Sequence, residues 1–378
     1  MQLVLQLTRD CNFACTYCYQ AHRQSRGMSR QVAEAAIRMM IDAGHAHVAV
    51  TWFGGEPLLE RERIEELQPR LLELGEAHGV LVTAKVSTNG ALLDERFCRF
   101  AKDHALFVSL SADGCPQAQN LTRPSLDGTP TSALVERALA ALVAARTPFA
   151  TYSVVTPSTA RLLPKSVDWL HERGARILIS TLDFGAEWRA ADLRTLERAY
   201  RALAARYRRW SRQGREFYLA PFDAKIAAHT NRRAGRGDRC AAGHRQIAID
   251  PEGFVYPCIE FLESPAHRIG HVERGIDKDA FAHWRHEHGG ERPSECSSCG
   301  IRERCGSTCA CLNLRTAGSL HGVSELLCAH ERAVTLAADR LGAALFAARD
   351  RTFLRRHYDP RHHVLSAIES LLEEARAP

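Results

Sequence analysis

The sequence predicts an α/β protein, a partial (β/α)6 barrel of TIM type followed by a small cysteine-rich α+β module and C-terminal helices. Three observations carry this. Short apolar runs alternate with helical patterns through the first half, the signal of βα units on a parallel sheet. The alternation ends near Gln213-Gly214, where composition shifts. Cysteines gather in two groups, one between Cys11 and Cys18 and the other between Cys240 and Cys328. The expected domains are residues 1–215, 216–330 and 331–378.

Six strands are expected: Leu3–Leu7, Val48–Trp52, Val80–Val86, Leu106–Leu110, Phe149–Val155 and Ile177–Ile179. Between them Val32, Ala36, Met39 and Met40, and then Ile64, Leu67, Leu71 and Leu74, recur at helical spacing. Ala190–Arg212 reads as one long amphipathic helix. Right-handed crossovers wind such units so that the reactive loops lie at the carboxyl ends of the strands. Past Cys328, one helical pattern holds Val334, Leu336, Ala337, Leu341 and Leu345, and a second holds Val364, Ile368, Leu371 and Leu372.

The chain has 378 residues, 45% hydrophobic and 25% charged, which suits a globular protein of two domains. No run approaches the roughly 18 apolar residues of a membrane helix, and no basic leader precedes an apolar stretch. A cytoplasmic protein is expected. Thirteen cysteines, clustered, favour cluster ligation in a reducing compartment over disulfides. Of the net charge of +6, much lies between Arg201 and Cys240, a solvated helix face with a basic loop or a dock for an acidic peptide. No aromatic residues interleave with that loop, so nucleic-acid binding is not expected.

Cys11, Cys15 and Cys18 follow the first strand with spacing C-x3-C-x2-C. Three thiolates so placed can hold three irons of a [4Fe-4S] cube and leave the fourth open to a small molecule. Zinc would want a fourth ligand, and only His22 stands near. With Tyr17 before the third cysteine, the segment resembles the signature of the radical S-adenosylmethionine (SAM) enzymes. Gly54-Gly55-Glu56-Pro57 after the second strand resembles the family's GGEP motif, whose backbone accepts hydrogen bonds from the amino group of SAM; glycines there let a ligand approach closely. Ser87 and Asn89 after the third strand, Ser111 and Asp113 after the fourth, and Arg123 beyond them resemble its polar contacts to ribose and carboxylate.

The later cysteines resemble the SPASM domain, the auxiliary iron-sulfur module of many radical SAM peptide maturases. Ile249-Asp250-Pro251-Glu252-Gly253-Phe254-Val255-Tyr256-Pro257-Cys258 reads as its small hairpin with a Gly turn. The resemblance gives Cys296, Cys299, Cys305 and Cys328 to one cluster, and Cys240, Cys258 and Cys309 to another. That second set lacks the eighth cysteine of fully ligated relatives. An open iron, Cys311, a substrate thiol or another side chain could complete it. Cys98 reads as core. Cys115 and Glu260 are the catalytic candidates, and the general base is not identified. His283, His286 and His288 read as a surface helix.

The resemblance implies SAM and three [4Fe-4S] clusters, one binding SAM and two auxiliary, with a low-potential donor such as a flavodoxin or ferredoxin. A 5′-deoxyadenosyl radical would abstract hydrogen from a ribosomally made peptide or protein and lead to a cross-link or an oxidised side chain. Leu3 already begins the first strand, so leader recognition is expected from the basic surface or a separate protein. The second reading is a sulfatase maturase that forms formylglycine from Cys or Ser. Such enzymes place an aspartate after the cysteine matching Cys258, where this chain has Ile259-Glu260. A third reading, of another class, is a non-catalytic zinc-binding scaffold.

Overall fold

The computed structural model describes residues 1–20, 27–230, 242–243, 245–262, 264–287, 293–306 and 309–359. They fall into two compact units, each discontinuous in sequence. The first comprises Met1–Ser111, Arg123–Phe149 and Cys240–Gly289, and the second Ala112–Thr122, Ala150–Arg239 and Gly290–Pro378.

The first unit opens with β1 (Gln2–Gln6), α1 (Arg30–Asp42), β2 (His47–Phe53), α2 (Arg61–Ala77), β3 (Leu81–Thr88), α3 (Glu95–Asp103) and β4 (Leu106–Ser111). The four strands pair in parallel in that order. Leu5, Trp52, Val86 and Val108 form one row across them, each fully buried. The indole of Trp52 donates to Gln68 Oε1 of α2 at 2.8 Å, so this face of the sheet meets the helices. The opposite face carries Gln6, Thr51, Lys85, Ser87, Ser109 and Ser111.

Each of these strands stands where the apolar runs place it, within a few residues. On α1, Ala36 and Met40 are buried as expected, together with Ala33, Ile37 and Ile41, while Val32 and Met39 are half-buried. Alanines let the helix approach the sheet closely, and a reading weighted to large side chains takes Val32 in place of Ala33. On α2, Ile64, Leu67 and Leu71 are buried as expected, while Leu74 is half-buried and Gly75 lies inside. Ser29 and Asp94 cap α1 and α3 through the amides of Val32 and Phe97.

Beyond β1 the sheet continues into the cysteine-rich half. There β8 (Gln246–Ile249) pairs in parallel with β1, Leu5 opposite Ile249. It turns into antiparallel β9 (Phe254–Tyr256), as the hairpin pattern predicts, with Gly253 at φ +94°. The carboxylate of Asp250 holds the turn, accepting from the Glu252 and Phe254 amides and from the Tyr256 hydroxyl. Two short strands, β10 (Gly270–His271) and β11 (Gly275–Ile276), complete this side, and α9 (Lys278–Glu287) follows. On α9 His283 is exposed and pairs with Glu287 at 3.1 Å, and Trp284 is the buried residue. His288 lies outside the described residues.

In the second unit β5 (Phe149–Val155), β6 (Ile177–Leu182) and β7 (Tyr218–Ala220) pair in parallel. The helices of this unit are α4 (Pro116–Thr122), α6 (Leu163–Glu172), α7 (Ala190–Arg212), α8 (Phe222–Thr230), α10 (Ala310–Ala317), α11 (Glu325–Ala347) and α12 (Arg351–Tyr358), while α5 (Ser132–Ala144) belongs to the first. The long helix has the bounds the sequence predicts. The βα rhythm, however, runs one unit past Gln213-Gly214, because β7 is three residues long and leaves too short a run to recognise. Asp223 clasps this region. It accepts from Tyr207 Oη at 2.6 Å and the Leu219 amide at 2.7 Å, and contacts His357 Nε2 at 3.1 Å. Burial opposes its charge, yet Arg356 and His357 hold its carboxyl below the usual range. The predicted pattern at Val364–Leu372 lies outside the described residues. Among the described residues no helix is long and apolar enough to cross a membrane.

Candidate active site and cysteine clusters

The chain leaves β1 at its carboxyl end and forms the loop of Cys11, Cys15 and Cys18. Phe13, 1% exposed, pins it, and the Ala14 amide donates to Pro124 O at 2.8 Å. Burial pushes the Cys11 thiol up to about 11, the Phe13 amide draws it down, and Glu56, Cys15 and Cys18 raise it further. Three thiols that feel one another in a single loop suit a shared metal-sulfur group. Among the described residues no three Cys, His, Asp or Glu side chains close on a single ion. His22 lies outside them.

The loop after β2 lies directly against this one. Gly55 N donates to Thr8 O at 2.9 Å and Glu56 N to Asp10 O at 2.8 Å. A Cβ on Gly54 would stand 2.5 Å from Thr8 O, and one on Gly55 2.3 Å from Asp10 O. The glycines thus serve chain-to-chain contact with the cysteine loop, a reason the sequence reading did not give.

Glu56 is fully buried, and its carboxylate accepts from Leu58 N at 3.0 Å, Thr88 Oγ1 at 2.7 Å and Asn89 N at 2.7 Å. Burial pushes it up to about 7, against those three hydrogen bonds. It ties the loops after β2 and β3 together. Asn89 in turn donates to Asn12 Oδ1 at 2.7 Å and sits 3.8 Å from Cys11 Sγ. Arg123 places a guanidinium nitrogen 3.8 Å from Cys15 Sγ and its centre 5.2 Å above the Tyr17 ring. Cys11, Cys15, Tyr17, Asn89 and Arg123 are therefore brought together, and Ser87 and Ser111 stand half-buried on one face of the sheet.

Asp113 belongs to the second unit. Its carboxylate accepts from the Val154 amide at 2.9 Å and the Thr122 hydroxyl at 2.6 Å, which commits both oxygens to holding β5 and α4. Cys115 is fully buried; Ser166 Oγ lies 3.4 Å from its sulfur and 3.2 Å from its amide. Glu260 is half-buried in the turn after Cys258. Cys98 is core, as expected, its thiol pushed up to about 11 by burial.

Of the later cysteines, Cys296, Cys299, Cys305 and Cys328 line one cavity of the second unit, together with Ile301, Val323, Glu331 and Arg332. Burial raises the Cys328 thiol, and Cys296, Cys305 and Cys299 raise it further. A set of four free thiols about one cavity fits the donor demand of an iron-sulfur cube. Sequence reasoning missed the residues that brace it. Glu331, 5% exposed, accepts from the Gly306 amide and from Lys225 Nζ, both at 2.6 Å, and Lys225 also donates to Arg304 O at 2.9 Å. Cys305 is thereby held between two tethered neighbours. The only signal was that Glu331 stands three residues after Cys328.

The other predicted set is divided. Cys258 is in the first unit, where Gln246 Nε2 lies 3.2 Å from its sulfur. It follows β9, which pairs with β8 and runs antiparallel to β1 two strands away, and so lies at the level of the amino end of β1, with about 16 Å of strand before the Cys11 loop begins. Cys309 is exposed at the start of α10 in the second unit, and Cys311 is buried. Cys240 and the basic loop of Arg232, Arg233, Arg236 and Arg239 lie outside the described residues.

Residues 5–170 match the family model of the radical SAM superfamily. A cysteine-type anaerobic sulfatase-maturating enzyme of Clostridium perfringens is 27% identical over 299 residues, covering 74% of this chain and 79% of that one. A serine-type anaerobic sulfatase-maturating enzyme of Klebsiella aerogenes is 26% identical over 326 residues, covering 82% and 79%. Among solved structures, native anSMEcpe with bound AdoMet and Cp18Cys peptide superposes with a TM-score of 0.76 at 23% identity, over 92% of this chain and 99% of that one. Streptococcus suis SuiB bound to precursor peptide SuiA gives 0.61 at 17% identity, over 86% and 75%. The radical SAM recognition stands for residues 5–170, and the α/β fold with C-terminal helices stands with the likeness to anSMEcpe.

Proposed function

We propose that this chain, whose residues 5–170 form a radical SAM domain, is a protein maturase that oxidises a cysteine or serine side chain to formylglycine. The observation that carries this is the reach of the likeness. Similarity to both sulfatase-maturating types covers 74% and 82% of the chain, well past the radical SAM domain. The sequence reading set cross-linking first and this reaction second; the relatives support the reverse order.

In this reading Cys11, Cys15 and Cys18 hold the cluster that meets SAM. Arg123, Asn89 and Tyr17, with Ser87 and Ser111, orient SAM, while Gly54, Gly55 and Glu56 keep the three loops in place. Cluster and SAM together, when bound, supply the 5′-deoxyadenosyl radical that takes a hydrogen atom from the substrate. Phe13 and the buried Glu56 network seal the base of the cysteine loop from water. Cys296, Cys299, Cys305 and Cys328 hold one auxiliary cluster, and Cys240, Cys258 and Cys309 another with a fourth ligand from elsewhere. Clusters held by these cysteines would supply an acceptor for the electron released as the side chain is oxidised. Cys115 and Glu260 stay candidates for proton removal. A flavodoxin or ferredoxin supplies the reducing electron.

Cross-linking of a ribosomal peptide is the second reading, favoured by Ile259-Glu260 where sulfatase maturases carry an aspartate. One incubation separates them. Anaerobic protein, SAM and dithionite are mixed with sulfatase-derived peptides carrying Cys or Ser, and the products are treated with a hydrazide. Formylglycine is captured as a hydrazone; 5′-deoxyadenosine released without any aldehyde would reject the proposal. Iron and sulfide analysis tests the zinc scaffold, for zinc without sulfide would displace the enzyme reading.

A further inference from the structure

Five lysines, Lys85, Lys102, Lys165, Lys225 and Lys278, stand against forty-five arginines in this chain. Lys225 has Glu331. Lys85 is half-buried and has no hydrogen-bond or ion-pair partner among the described residues. It lies on β3 in register with Thr51 of β2 and Phe107 of β4, on the face turned away from α1 and α2. Burial pushes its ammonium below the ordinary value.

One row along, Ser87 pairs with Ser109, whose hydroxyl is buried at 4% exposure with no hydrogen-bond partner among the described residues. Ser109 lies diagonally across from Lys85, one strand over and two residues along, a separation of about 7–8 Å that a lysine side chain spans. No aspartate or glutamate stands on this face of β1 to β4. A cation and a hydroxyl withdrawn from water without partners are costly, and an anionic ligand that accepts from both offsets that cost.

We propose that Lys85 and Ser109 form a subsite for a carboxylate of the substrate, two residues deeper along β3 than Ser87. Arg123 stands at the other end, beside Cys15, where the nucleotide is expected. The inference rests on the protein-modifying reading: the carboxylate is an acidic side chain of the segment that carries the modified residue. This chain therefore selects targets with Asp or Glu nearby.

The test reads lysine accessibility, not turnover, so an absent maturase activity would leave it standing. Anaerobically purified, cluster-loaded protein is pulsed with acetic anhydride, and acetylation is mapped at all five lysines by mass spectrometry. Glutarate should slow acetylation of Lys85 roughly tenfold at saturation. Glutaramide should not, and Lys102, Lys165 and Lys278 should be unaffected by either. Ser109→Ala, checked for folding by circular dichroism, should raise the glutarate concentration needed several-fold. No protection by glutarate, equal protection by glutaramide, or full protection by SAM alone would overturn the proposal; the last would assign the ammonium to the nucleotide.

Discussion

Replacing Lys225 by methionine should loosen the four-cysteine cavity of the second unit, and the structure sets the size of the effect. Lys225 and Glu331 are 8% and 5% exposed, and their contact of 2.6 Å is the charge pairing of both groups. Removing one partner of a buried pair costs about 3–5 kcal/mol, because the other charge is left uncompensated. The lower end applies, since Glu331 keeps the Gly306 amide. Lys225→Met should therefore destabilise the unit by about 3 kcal/mol, which for a unit of this size is a Tm drop of roughly 6–12 °C. Pairing it with Glu331→Gln removes the stranded charge and leaves an oxygen for Gly306. The double variant should then be no less stable than Lys225→Met. The assay is urea and thermal unfolding of the metal-free protein under argon, with iron content of the reconstituted variants beside it. If Lys225→Met unfolds within about 0.5 kcal/mol of the parent, or the two substitutions simply add, the pair does not act as argued.

Gly55→Ala places a methyl 2.3 Å from Asp10 O, which forces the cysteine loop to shift. Iron bound by the Cys11 loop and SAM cleavage should both fall sharply, while the cavity of Cys296, Cys299, Cys305 and Cys328 keeps its iron. His171 stacks on Trp210 at 4.0 Å and is driven down to about 4, chiefly by burial and then by Arg176. The folded state resists a proton that the unfolded chain accepts near 6.5. His171 thus contributes stability in full above that value, and about 3 kcal/mol of it is lost as pH falls from 6.5 to 4. His171→Phe should flatten this part of the pH profile of urea unfolding; an unchanged slope would assign it elsewhere. Replacing Cys11, Cys15 and Cys18 together by alanine should abolish 5′-deoxyadenosine release from SAM under dithionite, measured by chromatography.

The strands and the cysteine loop were legible because each needs a local pattern: apolar runs for a buried sheet, and thiols at short spacing in one turn of chain. Arg123 and Asn89 were legible from their motifs, and the structure puts them 3.8 Å from Cys15 and Cys11. What sequence could not reach was contact between distant segments. Glu56 reads as a motif residue, but its three hydrogen bonds depend on how the loops after β2 and β3 meet. Lys225 and Glu331 are 106 residues apart and carry no spacing rule. On α1 the pattern found Ala36 and Met40 but took Val32 in place of Ala33, because alanine counts little in a scan for bulk and much in close packing.

The alignment of β8 along β1 has a consequence for dissection of the protein. Cutting the chain after α7 would strip one whole side of β1 of its hydrogen-bonding neighbour and bare Leu3 and Leu5 at a raw margin. Such a margin recruits strands from other molecules. The amino-terminal half prepared alone should thus come out as aggregate, and adding the hairpin back, even with every later cysteine changed to serine, should return it to solution.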